Sequence, residues 1–189
     1  MKNIRFVLWS LLAALTFSAN AQSEIAPPAP GKSVVYIVRT SIYGAALNFS
    51  YMDSATLIGR FPGPAYVRYE CEPGHHLLWA RSENRDYVEA ELAPDKIYFI
   101  LALVETGAIK AQVDLIPINP SRDTKDMARM MKLIERIRPM KFTDTELKAD
   151  ALDLAPAIDR GLETYASEQQ SGVKHDVLPA DWYYVPQSF

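Results

Sequence analysis

Residues 65–82 read AYVRYECEPGHHLLWARS, and the fold turns on how this stretch is divided. Its first half alternates. Val67, Tyr69 and Cys71 fall on one face of a strand and Arg68, Glu70 and Glu72 on the other, because successive strand residues point to opposite sides. Pro73-Gly74 then suits the centre of a type II turn, proline fixing φ and glycine supplying a positive φ. His75 and His76 open the next strand on opposite faces. A tight hairpin here would set Glu72 opposite His75 on the outer side and Cys71 opposite His76 on the inner side. The pattern therefore reads as strand, turn, strand.

The same text extends in both directions. From Ser33 to Ile118 the runs SVVYIVRT, AALNFSYM, ATLIGRF, AYVRYECE, HHLLWARS, DYVEAEL, KIYFILALVE and IKAQVDLIPI are β-branched and aromatic, with Gly, Pro and Asp between them. No helical run interrupts them. The spacing predicts an antiparallel β-sandwich of about eight short strands over residues 33–118, joined mostly by short meander connections. Val34–Val38 and Ile97–Val104 are apolar on nearly every residue, so both of their faces should be buried.

Past Pro120 the period changes. Met127, Met130, Met131, Ile134 and Ile137 fall at helical spacing, and Pro139 ends that run. Thr143 and Glu146 form a capping box at a second start, with Phe142 and Leu147 placed for the hydrophobic staple. Leu147, Ala151 and Leu154 continue one face, Pro156 should break or kink it, and Ile158, Leu162 and Tyr165 resume it. Residues 119–172 thus form a helical segment expected to pack on the sandwich. The methionine stripe suits that packing better than a peptide groove. Residues 173–189 are an aromatic tail.

The N-terminal end points to export. Lys2 and Arg5 precede an apolar run from Phe6 to Phe17, and Ala19-Asn20-Ala21 offers a small-x-small cleavage pattern. Residues 1–21 read as a signal peptide cleaved after Ala21, because the run is too short to span a bilayer. A flexible, Pro-rich leader follows over 22–32. The expected location is periplasmic or secreted, with no membrane span in the mature chain. Without Lys2 and Arg5, the 20 basic residues fall to 18 against 23 acidic ones, a net charge of −5. That balance, with no run of basic residues, points away from nucleic acid and anionic surfaces. Cys71 is the only cysteine, so no internal disulfide forms.

The residues with chemistry to offer are Cys71, His75, His76 and the carboxylates Glu70 and Glu72. Zinc needs three or four ligands converging at tetrahedral angles. Neighbouring strand residues diverge, and the remaining histidine, His175, lies far along the chain, so no metal site and no cofactor is expected. A Cys71–His76 dyad would need an oriented base, an oxyanion donor and an open pocket. No GxSxG, HExxH, CxxC or glycine-rich phosphate loop occurs, and no catalytic residue is assigned. Trp182, Tyr183 and Tyr184 could stack on sugar rings, although a tail strapped onto its own domain accounts for them as well.

The strings VVYIVR, ATLIGRF, AYVRYECEPGHHLLWA and DKIYFILALVE resemble a bacterial domain of unknown function found in exported proteins and lipoproteins. Its marks are an opening strand with Tyr and Arg, a PG-x-H-x-L turn and a late Gly-x-x-Tyr-Tyr strand start. Tyr36, Arg39, Pro73, Gly74, His76 and Leu78 match the first two. Asp95, Tyr98 and Phe99 stand at the third with two departures. The stretch is also similar to the PEGA domain, and the resemblance spans residues 33–118. It implies a β-sandwich of the bacterial envelope without known catalysis. The expected function is a non-enzymatic periplasmic binding or assembly module for an envelope protein or polymer. The alternatives are a cell-envelope hydrolase with its site between sheet and helices, and a carbohydrate-binding module.

Overall fold

The computed structural model describes residues 25–106 and 111–186; the expected signal peptide lies outside them. Nine strands and two helices follow in order: β1 Ser33–Arg39, β2 Phe49–Asp53, β3 Thr56–Phe61, β4 Ala65–Cys71, β5 Gly74–Arg81, β6 Arg85–Leu92, β7 Lys96–Thr106, β8 Ala111–Pro117, α1 Thr124–Ile134, α2 Asp144–Gln170 and β9 Asp176–Leu178. They build two sheets, sheet A in the order β4-β1-β7-β8 and sheet B in the order β3-β2-β5-β6-β9. The chain is mainly β, a sandwich with helices laid on its outside.

Burial alternates as the strand period requires. Val35, Ile37, Tyr98, Ile100 and Ala102 of sheet A meet Phe49, Tyr51, Leu78, Ala80 and Val88 of sheet B in the central layer. The opposite residues of β1 and β7, Val34, Tyr36, Val38, Ile97, Phe99 and Leu101, pack with Met127, Met130 and Ile134 of α1. Both faces of these two strands are buried, as their unbroken apolar runs predict, and the methionines are core. Burying each such side chain contributes about 1.5–3 kcal/mol. On the far side, Met52, Leu57, Trp79 and Tyr87 of sheet B pack with Leu154 and Ile158 of α2. The layers therefore run helix, sheet, sheet, helix.

Several details depart from the sequence reading. The sheets are mixed rather than wholly antiparallel: β1 runs parallel to β7, and β6 parallel to β9. Pairing between strands some sixty and ninety residues apart leaves no mark in local periodicity. AALNFSYM becomes a strand only from Phe49, because Arg39 draws the carbonyls of Tyr43, Gly44 and Leu47 inward and turns the preceding residues into a loop. Pro156 does not break α2, which is helical from Asp144 to Gln170 with the capping box in place at Thr143 and Glu146. The carbonyl left without its N–H partner belongs to Leu152, a residue 79% exposed, where water can take over the bond. The leader is held from Ile25 on. Ile25 is buried, Arg68 donates to the Pro27 carbonyl, and the Ala29 and Gly31 amides donate to Glu70 and Asp95.

Candidate functional site

The Pro73-Gly74 turn is not a hairpin. β4 pairs with β1 in sheet A, while β5 pairs with β2 and β6 in sheet B, so the turn carries the chain from one sheet to the other. Cys71 therefore stands opposite Ser33, His75 opposite Glu91 and His76 opposite Ala90. Gly74 has φ +124°, a region that β-branched residues avoid, and no neighbour crowds its position. The corner turns on backbone conformation rather than on lack of room.

At this corner His76 points between the sheets, where a residue far back in the chain meets it. Its Nδ1 lies 2.6 Å from Asp53 Oδ2 and its Nε2 lies 2.8 Å from the Glu72 carbonyl. The Tyr69 hydroxyl donates to the same Asp53 oxygen at 2.9 Å. A carboxylate on one ring nitrogen and a carbonyl on the other both require an N–H donor, so His76 is held as imidazolium. The bond to Asp53 and then the neighbouring Cys71 thiol raise its pKa to about 10, while burial opposes them. Burial, and then Asp53, push the Tyr69 phenol far above its ordinary value.

Cys71, His76 and Asp53 superficially make a nucleophile, base and orienting acid. The geometry makes them a clamp. A base must offer a free nitrogen to the nucleophile, and the Nε2 of His76 is committed to a backbone carbonyl. Half-buried Cys71 sits with its sulfur 3.9 Å from the Ser33 carbonyl. Glu70 and Glu72 ion-pair with Arg68 and Lys32, tying the leader to the domain. His175 joins neither other histidine and packs against the rings of Tyr87 and Tyr165. No group of three or more His, Cys, Asp or Glu side chains arranged to hold a metal occurs among the described residues.

The outer face of sheet B is the second feature. Along the β5–β6 hairpin, facing pairs run His75–Glu91, Leu77–Glu89, Trp79–Tyr87 and Arg81–Arg85. α2 crosses the middle: Asp153 reaches Arg60 on β3, Gly161 lies against the Trp79 ring, and Tyr165 donates to Glu89 on β6. Gly161 is required there, since a Cβ would fall 2.2 Å from the indole. The Tyr87 hydroxyl donates to the Gly161 carbonyl at 2.7 Å. α2 thereby divides the face into two flanks.

One flank is a cleft of about 360 Å³ lined by His75, His76, Leu77, Glu89, Ala90, Glu91, Tyr165 and Val177. His75 is almost fully exposed and pairs with Glu91 at 2.5 Å. The other flank is basic. Arg60, Ser50, Arg81 and Arg85 stand in one register row across β3, β2, β5 and β6. Arg160 of α2 joins them; burial, and then the charges of Arg85, Arg160 and Arg60, lower the pKa of Arg81. Residues 60, 81, 85 and 160 are too far apart in the chain to register as a basic run, so only the fold reveals this cluster.

The aromatic tail is strapped down. Trp182 and Tyr183 pack on the central layer, with the Lys96 ammonium 4.3 Å above the Tyr183 ring. Tyr184 packs on the outer core of sheet A, edge-on to Phe99, and its amide donates to the Ile97 carbonyl. The three side chains do not share one face. Compared with known protein families and with curated proteins, the chain matches none.

Proposed function

We propose that this protein is a non-enzymatic binding or assembly module of the bacterial envelope. It works outside the cytoplasm once residues 1–21 are removed, and belongs with the exported β-sandwich domains that its strands and PG turn resemble. The observation that carries this reading is the cleft between α2 and the His75–Glu91 end of sheet B. Its walls combine carboxylates, Glu89 and Glu91, with apolar surface from Leu77, Ala90 and the half-exposed Val177. β9 ends the sheet, leaving its outer backbone edge unpaired among the described strands. An extended, basic segment of an envelope protein suits such a site, its backbone along the edge strand and its cations toward the glutamates.

The clamp at His76 supports binding over hydrolysis, because the one Cys/His/Asp constellation offers no free base. The test is a photo-crosslinking residue at Val177 in intact cells. We expect one discrete protein adduct, lost when Glu91→Lys is introduced into the same chain. Absence of any adduct, together with depolymerisation of envelope polymer by the purified protein, would replace this reading with the hydrolase.

A further inference from the structure

At the opposite end of the sandwich the basic flank meets an apolar loop. Residues 40–48 connect β1 to β2, and they expose Ile42 at 78%, Tyr43 at 51% and Leu47 at 41%. The loop is not slack. Arg39, fully buried, donates to the carbonyls of Leu47 and Gly44 at 2.7 Å and of Tyr43 at 3.4 Å, and its guanidinium stacks 4.0 Å over Phe49. An internal cation thus holds the backbone while the large side chains face outward. Keeping such residues in water is unfavourable, and a contiguous exposed group of them marks a contact surface.

Leu47 lines one cleft with Arg60 and Arg81, so the loop and the arginine row are neighbours. The row spans three strand spacings, roughly 14 Å. Arg81 and Arg85 face each other directly, an arrangement that costs stability unless an anion lies between or above them. Arg81, Arg85 and Arg160 form no salt bridge among the described residues, and the Nε of Arg85 is buried without an acceptor. Of the nearby acids, Asp153 is taken by Arg60, Glu83 lines the first cleft, and Glu163 and Glu168 line a separate cleft with Arg85 and Arg160 without a salt bridge to either. An arginine row with three members outside any salt bridge, joined at Leu47 to a loop that exposes an Ile-Tyr pair, matches a surface with phosphates at its boundary and hydrocarbon beneath.

We propose that this end of the sandwich docks on a bilayer containing anionic phospholipid, Ile42 and Tyr43 entering the interface while Arg60, Arg81, Arg85 and Arg160 meet headgroup phosphates. The chain's overall negative charge points the other way, but the fold collects its arginines locally. This docking is peripheral, and no helix of the described residues is long and apolar enough to cross a membrane. It is independent of the acidic cleft, which lies at the other end of the same strands.

The test uses protein recovered from cells and vesicles of phosphatidylcholine with and without phosphatidylglycerol. We expect flotation only with the anionic vesicles. Arg81→Gln with Arg85→Gln should weaken it roughly tenfold or more, and Lys125→Gln on α1 should leave it unchanged. Ile42→Ser with Tyr43→Ser, exposed positions that do not threaten folding, should weaken it too. A Tyr43→Trp variant adds a local readout: its added emission should shift to the blue and be quenched by brominated lipid. No shift at position 43, or flotation indifferent to the arginine pair, would overturn the proposal. Binding of inorganic pyrophosphate without flotation would overturn it as well, leaving a site for a soluble anion.

Discussion

The central strands of sheet A, β1 and β7, turn an apolar outer face to α1, with charged residues on the edge strands, whereas the outer face of sheet B is apolar in the middle under α2 and polar at both ends of its central strands. Val34, Tyr36, Val38, Ile97, Phe99 and Leu101 leave no polar side chain at the centre of the first face, and α1 packs on them with Met127, Met130 and Ile134. The second face has Trp79 and Tyr87 at its centre, a histidine–glutamate pair at one end and an arginine pair at the other. Over β1 and β7 the helix adds to the core. On the second face, α2 leaves two chemically opposite flanks. Polar residues kept on a sheet face that a helix crosses contribute little to packing, which is why function is sought there.

The largest effect should come from the face under α1. Phe99→Ala removes a fully buried ring stacked on Tyr36 and should cost about 4 kcal/mol. Denaturant unfolding measures it. A loss below about 1 kcal/mol would mean that α1 covers sheet A loosely and that the contrast is false.

The clamp at the sandwich corner ranks next. His76→Ala leaves Asp53 buried with only the Tyr69 hydroxyl, and should cost about 3 kcal/mol. The sign of its pH dependence follows from the raised pKa. The folded value is about 10, against about 6.5 in the unfolded chain. The stabilisation is therefore complete below about pH 6.5 and disappears as pH rises through 10. The wild-type melting temperature should fall across that window more steeply than that of His76→Gln. Parallel curves would show that His76 is neutral in the folded state.

How far this was legible depends on the range of the interaction. The eight strands from Ser33 to Pro117 follow from their β-branched and aromatic runs between turn residues, and α2 from its capping box, because both signals are local. Burial on both sides of β1 and β7 was readable because their apolar runs have no polar face to offer water. Alternation also places His76 between the sheets and His75 outside. It cannot name Asp53, because a strand's period fixes which residues share a face but not which strand lies beside it. The corner at Pro73-Gly74 misleads for the same reason: a turn dipeptide is consistent with a hairpin or with passage between sheets. β9 is three residues long, below what alternation can register.

Gly161 tests the crossing of α2 over sheet B. A methyl group there would meet the Trp79 ring at 2.2 Å, too close for either side to remain in place. Gly161→Ala should cost about 2 kcal/mol through overpacking. It should also disturb both flanks, since the helix spaces them. Unchanged stability with an undisturbed near-ultraviolet tryptophan signal would mean that α2 does not rest on Trp79.

The smallest effect on folding belongs to His75. Its side chain is 92% exposed, and its pair with Glu91 is open to solvent. Exposed polar pairs gain little, since water competes for both partners and ordering the side chains costs entropy. His75→Ala should therefore change stability by no more than about 0.5 kcal/mol, against about 3 kcal/mol for its neighbour His76. Two adjacent histidines would then differ because one faces the packed interior and the other faces the cleft. The sharper half of the test is the partner. If the cleft binds a basic segment, His75→Ala should leave the adduct formed at Val177 in place, whereas Glu91→Lys abolishes it, because the attraction comes from the carboxylate. A His75→Ala loss comparable to that of His76→Ala would mean that the polar end of sheet B is structural, and the contrast between the two outer faces would fail there first.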